Sequence, residues 1–273
     1  MLKPIAKKLL NSVGVHDHHV TPVQLSYRLL RAVGFGIERK FEFHGQGLKF
    51  RIAAEAWHDF EVFNREAEFR NELEHFIRLS QNRRNLLDIG AFYGIFSLIF
   101  ASLTHGKACA IEPSPHAYPT LKHHQTLNPG LELETFNIGF GAENEMIGWK
   151  FDCLQLVASG KQDKKQFEFP VVRLDDFVRN HAFEPDTIKL DTEGYELSVL
   201  RGGSEFLTRC SPILFLEVHV SWMARLGHSP AALISTLRSF GYDHFYHGSE
   251  SVDPVRKASE SDNFRIICSK EKL

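Results

Sequence analysis

Residues 85–94 run Asn85-Leu86-Leu87-Asp88-Ile89-Gly90-Ala91-Phe92-Tyr93-Gly94. The first five form a short apolar run that stops at a turn, which predicts a buried strand. Gly90 lets the backbone turn and approach a ligand with no Cβ in the way, and Gly94 lets the following helix pack close to the strand. That helix stays apolar as far as Leu103. Its N-terminus offers free N–H groups and the positive end of a dipole. The glycines stand four apart, so the G-x-G-x-x-G pattern of a pyrophosphate loop is absent, which counts against a nicotinamide dinucleotide. Asp88 repels a diphosphate and suits an ammonium or sulfonium group. An ordinary strand-to-helix turn with a capping acid looks the same, so the neighbouring segments have to decide.

Outward from this point the same rhythm repeats. Residues 108–111 read as a strand ending at Glu112-Pro113, 24 residues beyond Asp88. A carboxylate there can accept both hydroxyls of a ribose, and Pro113 ends the strand and aims it. Strands are predicted at 131–137, 187–190, 213–218 and 263–268, with helices at 118–127, 197–207 and 231–240. Alternation of this kind implies βαβ units and a mostly parallel sheet, with ligands beyond the carboxyl ends of its strands. Residues 145–174 interrupt it with two β-rich segments, 147–151 and 167–174, predicted as an inserted hairpin.

Two more strand ends carry charge. Ile188-Lys189-Leu190-Asp191-Thr192-Glu193-Gly194-Tyr195-Glu196 gathers three carboxylates and a lysine. Lys189 and Asp191 share one face of the strand and Leu190 takes the other. In Leu216-Glu217-Val218-His219 the two polar residues also share a face. A histidine beside a carboxylate is a candidate general base at neutral pH, although a half-buried structural histidine has the same pattern.

The N-terminal part differs. Residues 41–56 alternate weakly around Gly45 and Gly47, a hairpin signal. Residues 59–80 have the helical period, and short helices are predicted at 3–12 and 22–33. The chain of 273 residues, 43% apolar and 24% charged, matches soluble globular domains and excludes disorder, collagen and coiled coil. A net charge of −2 lacks the basic field of a dedicated nucleic-acid binder. Four widely spaced cysteines without a C-x-x-C pair predict reduced thiols and a cytoplasmic setting. No run reaches the ~18 apolar residues of a membrane span. Lys3, Lys7 and Lys8 break up any signal-peptide core. His16, His18, His19 and the pair His123-His124 read as surface. Among the aromatic residues, 23 phenylalanines stand against three tryptophans and six tyrosines. Eight of them (Phe35, Phe41, Phe43, Phe50, Phe60, Phe63, Phe69, Phe76) fall within residues 35–76 and predict a packing surface rather than an acceptor-binding wall.

Taken in order, Leu87-Asp88-Ile89-Gly90-Ala91 with Gly94, Ile111-Glu112-Pro113, Arg173-Leu174-Asp175-Asp176-Phe177, the 188–196 block with Val199-Leu200-Arg201-Gly202-Gly203, and Leu216-Glu217-Val218-His219 resemble the FkbM family over roughly residues 84–246. These are class I methyltransferases that use S-adenosyl-L-methionine (SAM). The resemblance implies an α/β, Rossmann-like sheet, mostly parallel with an antiparallel last strand, in residues 81–273. An N-terminal helical and hairpin adjunct occupies residues 1–80 and is a candidate surface for a homo-oligomer. It also implies O-methylation of a hydroxyl on a sugar or small natural product. Gly90, Ala91, Phe92, Tyr93 and Gly94 then wrap the SAM methionine, Asp88 meets its amino end, Glu112 with Pro113 holds the ribose, and Asn137 and Ile138 lie near the adenine. Two departures stand out. Asparagine is usual where Phe92 stands, and many methyltransferases have an acid before a small residue at Asn137-Ile138. The proton is assigned to His219 oriented by Glu217, with Asp191 as the second candidate base or as a partner of the sulfonium, and Lys189 stabilising a developing alkoxide. Asp191 and Glu217 have the chemistry to hold Mg²⁺, but a metal-free site is favoured. The acceptor is expected to be a small molecule or glycan, not nucleic acid, since no Asn/Asp-Pro-Pro-aromatic run is present. N-methylation of a small molecule or protein is the runner-up. A SAM- or sugar-binding module without turnover is the reading from a different class.

Overall fold

The computed structural model describes residues 26, 37–43, 46–152, 155–158 and 167–273, with backbone alone at 149–152, 155–158 and 167. The predicted helices at 3–12 and 22–33, His16, His18, His19, Phe35, Cys153 and the turn at 159–165 lie outside the described residues.

Eight strands form the central sheet. They are β3 (Asn85–Ile89), β4 (Lys107–Ile111), β5 (Leu133–Phe136), β10 (Thr187–Leu190), β11 (Ile213–His219), β12 (His244–His247), β13 (Glu250–Ser251) and β14 (Asn263–Ser269). Their order across the sheet is β13-β12-β14-β11-β10-β3-β4-β5. From β11 to β5 every pairing is parallel, whereas β14 is antiparallel to both β11 and β12. Strands β3, β4, β10 and β11 are buried on both faces, which is why they read as largely apolar runs, whereas the edge strand β5 alternates. The register sets Asp88 beside Lys189 and Ile89 beside Leu190. The order in which strands are added reverses between β3 and β10, where the chain steps from the β3-β4-β5 side to the β10-β11 side, so the carboxyl ends of β3, β4, β10 and β11 surround one crevice.

The helix after β3, α3 (Ile95–Thr104), is apolar all round and lies buried. It is sandwiched because the N-terminal segment covers it. That segment holds β1 (Glu38–Glu42) and β2 (Lys49–Ala53), an antiparallel hairpin as expected, then α1 (Trp57–Arg65) and α2 (Ala67–Ser80). The single helix predicted for 59–80 is broken at Glu66, which is extended. Arg70 of α2 reaches back to the carbonyls of Asn64 and Arg65, satisfying acceptors that a continuous helix would have used internally. In α2 the buried face is Leu73, Phe76, Ile77 and Ser80. Phe76 meets Phe96 and Phe215 edge-on, each at 5.0 Å. One apolar cluster thus runs from Phe41, Phe50 and Phe60 through Phe76 to Phe100, Phe215 and Ile267. Of the phenylalanine-rich stretch, Phe41, Phe43, Phe50, Phe60, Phe63 and Phe76 pack in or against this cluster.

After β4 comes α4 (Tyr118–Leu127). Here the reading of His124 as a surface residue is overturned. It is fully buried, its Nε2 accepts the Ala53 N–H at 2.9 Å, and its Nδ1 lies 2.7 Å from the Tyr93 carbonyl. Asn128 pairs with both backbone groups of Arg51, so β2 is fastened along α4. The predicted inserted hairpin is present and larger than expected. β7 (Glu145–Asp152) pairs antiparallel with β9 (Phe167–Val172), β8 (Gln155–Ala158) folds back on β7, and β6 (Gly139–Phe140) joins β9 in parallel. The Asp175 carboxylate of α5 (Leu174–His181) accepts the N–H groups of Glu205 and Phe206 at the start of α7 (Ser204–Arg209). The helix predicted for 197–207 is therefore two, α6 (Glu196–Gly202) and α7. Among the described residues no helix is long and apolar enough to cross a membrane, and the three described cysteines are free thiols.

Candidate active site

At the carboxyl ends of β3, β4 and β10 lies a cavity of about 320 Å³, within the usual range of small-molecule sites. Asp88, residues 90–94, Glu112, Pro113, Lys189, Asp191 and Glu193 line it. Its remaining walls come from Asp59, Phe60 and Phe63 of α1 and from Phe140, Phe169, Val171 and Tyr195. Phe60 and Phe63 therefore pack and line at once, which the reading of these residues as packing alone missed.

Glycine is required at position 90. Its φ is +79°, and a Cβ there would sit 1.7 Å from the Asp191 carbonyl oxygen. The N–H groups of Gly90 and Ala91 both reach the Ile111 carbonyl, and that of Asp191 reaches Ile89. Three strand ends are laced together in this way. Phe92 also has a left-handed backbone, φ +50°, at a cost of about 1–2 kcal/mol for a residue with a Cβ.

Each oxygen of Glu112 accepts one backbone N–H, from Phe92 at 2.7 Å and from Ser114 at 2.8 Å. The carboxylate is thereby aimed, with lone pairs left for two further donors. Burial pushes its pKa up to about 7 against the pull of those two N–H bonds. Asp88 accepts the Ser97 hydroxyl at 2.6 Å, and burial lifts it to about 6. Two buried acids in one cavity are a set of acceptors for an ammonium and a diol, and they fit the ammonium and ribose of SAM. Asn137 does not line the cavity. Its amide is engaged by the Glu112 and Pro113 carbonyls, and Ile138 packs on the core. This pair therefore supports the Glu112 turn rather than lining the cavity.

Behind the cavity lies a charged network. Lys189, almost fully buried, reaches Asp191 at 3.3 Å and Glu72 of α2 at 3.7 Å. Burial opposes its charge, but Asp191 and Glu72 outweigh this and the ammonium is held more firmly than usual. Burial alone would raise Asp191, yet Lys189 and His219 hold it below the ordinary carboxylate range. His219 points Nε2 at Glu193 (3.4 Å), Asp191 (3.7 Å) and Glu217 (3.8 Å), and its Nδ1 bonds Glu196 at 3.0 Å. Burial pulls the imidazole down, but the Glu196 bond and the neighbouring carboxylates lift it to about 9.

These distances change two expectations. Glu196, not Glu217, orients His219. Glu217 is instead clamped by Arg265, with Nε and Nη2 at 3.1 and 2.9 Å. His219 is absent from the cavity lining and the carboxylates around it favour its charged form, so it is better placed to hold Asp191 than to take the proton. Asp191, Glu217 and His219 do lie close enough to share a metal ion. Arg265, however, already satisfies Glu217 with a full positive charge. Glu72, Arg265, Glu193 and Glu196 carry no role in the sequence reading, although the last two belong to the 188–196 block. Arg265 faces away from Phe264 and Ile266 in a strand, and Glu72 adjoins Leu73 in an amphipathic helix. Neither pattern signals a site.

Sheet order, the glycine turn and the paired acids of β3 and β4 together define a class I SAM-dependent methyltransferase. Within that class the chain belongs to the FkbM methyltransferases, because the family described as "Methyltransferase FkbM domain" matches residues 88–243. No curated protein matches the chain. Among solved structures it is similar to the precorrin-6y C5,15-methyltransferase of Geobacter metallireducens GS-15, at 13% identity and TM-score 0.41 over 72% of this chain and 86% of that one. It is also similar to the N-methyltransferase NodS of Bradyrhizobium japonicum WM9 in complex with S-adenosylhomocysteine, at 12% identity and TM-score 0.42 over 76% and 89%. The T. thermophilus 16S rRNA N2 G1207 methyltransferase RsmC shows 11% identity and TM-score 0.45 over 86% of this chain, which spans 51% of RsmC.

Proposed function

We propose that the protein transfers a methyl group from SAM to a hydroxyl oxygen of a sugar or small natural product. One observation carries this reading. Asp191 leaves 31% of its side chain exposed to the cavity, while Lys189 and His219, which hold it ionised, are each only 3% exposed. A hydroxyl must shed its proton as it is alkylated, and among the carboxylates that line the crevice Asp191 is the one flanked by both buried cations.

Bound SAM supplies an electrophilic methyl on a sulfonium. The remaining work falls to the chain. Glu112 and Asp88 fix one partner and the α1 wall confines the other, so the reacting oxygen is held rather than met by collision. Asp191 accepts the hydroxyl's hydrogen bond and takes its proton as the carbon–oxygen bond forms. The charges of Lys189 and His219 keep Asp191 in place and unprotonated beforehand. Glu72 and Arg265 hold the back of that arrangement.

The test is a screen of glycosides, polyols and amines with isotopically labelled methyl donor, run beside Asp191→Asn. Methylated hydroxyls, with turnover lost by about 100-fold or more in the variant while SAM affinity stays within a few-fold, support the reading. Methylated amines would favour N-methylation. SAM binding without transfer to any acceptor would favour the binding module.

A further inference from the structure

In the loop of the cavity, Gly90, Phe92 and Gly94 all have left-handed backbone angles, with φ of +79°, +50° and +83°. Two are glycines, and the third is a bulky aromatic in a conformation that asparagine, aspartate or glycine adopts more readily. The backbone has a reason for this angle, since it turns the Phe92 N–H onto Glu112 at 2.7 Å. A glycine or asparagine would make the same bond, so the bond does not explain the ring. The ring stacks on Tyr93 at 3.8 Å and 29° and lines the cavity, half-exposed.

The same cavity is lined by two acids, Asp88 in β3 and Glu112 just after β4, and the second is bonded to the Phe92 N–H. In SAM the positively charged sulfur joins the ribose-bearing carbon to the amino-acid chain. A molecule with its ribose at Glu112 brings that sulfur, one carbon beyond the ribose, close to Phe92, whose N–H is bonded to the same carboxylate. Aromatic faces attract cations through their quadrupole. We propose that Phe92 is a charge-reading residue of this site, its ring holding the sulfonium and so preferring SAM to the neutral thioether product. The inference rests on the methyltransferase reading and assigns within it a task that Asp88 and Glu112 do not perform.

Calorimetric affinities of the wild type, Phe92→Leu, Phe92→Asn and Phe92→Tyr for SAM and for S-adenosylhomocysteine, with the Tm of each, test it. Leucine and asparagine should weaken SAM about 5- to 30-fold and leave the thioether within about twofold. Tyrosine, which keeps the aromatic face, should retain the wild-type preference. Asparagine should also raise Tm by about 2–4 °C as backbone strain is relieved. Equal losses for the two ligands would show a ring that stacks on the base or shapes the loop, and would overturn the proposal. So would an unchanged SAM affinity. A wild type that binds neither ligand would overturn the methyltransferase reading itself.

Discussion

Glu112 and Asp88 are acids that the fold has made reluctant to ionise. Their pKa values of about 7 and 6 mean that both are partly protonated in mildly acidic buffer. A ligand carrying an ammonium and a diol needs them charged. Each must therefore lose its proton on binding when the pH lies below its pKa, and affinity falls about tenfold per unit for each group. SAM binding should weaken as pH drops from 8 to 6 and more steeply below 6. Calorimetry across that range, with Glu112→Gln removing the step near 7, checks this. Much at this scale is legible in the sequence. Asp88 and Glu112 announce themselves because each is an acid directly ending an apolar run. The roles around His219 were not legible. Two residues on one strand face are close, but which carboxylate takes the imidazole depends on Glu196, placed by a different helix, and on Arg265, which removes Glu217 from consideration.

Among the elements, α2 links the N-terminal segment to the sheet in two ways. Its apolar face buries Phe76 against Phe96 and Phe215, and its charged edge offers Glu72 to Lys189 and Arg265. Truncating Phe76 to alanine should cost about 3–5 kcal/mol, read as a lower denaturant midpoint. Because the cluster spans both sides of residue 80, unfolding should remain a single transition, and a separate early step would contradict the shared core. The elements themselves were mostly readable, since continuous apolar runs and helical periodicity are local signals. The break at Glu66 was not, because Arg70 capping another helix's carbonyls leaves no trace in periodicity. His124 misled for the same reason. A polar pair near Asn128-Pro129 resembles surface until β2, 71 residues away in sequence, arrives to cover it.

For the whole molecule, the buried charges set a direction for stability against pH. His219 titrates near 9 in the fold and near 6.5 when unfolded, so its contribution is complete below 6.5 and lost as pH rises through 9. Asp88, Glu112 and Glu217 act in the same direction. Their folded pKa values of about 6 to 7 exceed the values of 3.8 and 4.5 for free carboxyls, so the fold binds more protons than the open chain between them. Tm should fall steadily from pH 6 to pH 9.5, and His219→Gln should flatten the upper part of that slope. A Tm that climbs over this range would show that the network is not charged as its distances imply.

β14 follows every other strand in the chain and yet lies inside the sheet, between β11 and β12. During synthesis at about 5–20 residues per second, the sheet therefore stays split until these residues have emerged. Until then Glu68, made 197 residues before Arg265, waits without that cation, as does Glu217, and Glu72 has Lys189 alone. The phenylalanines of α1 and α2, also made early, face a half-built surface over the same interval. Until β14 is in place the chain thus offers exposed aromatic surface and acids short of their Arg265 partner, and its yield in a cell should depend on what shields them over that interval.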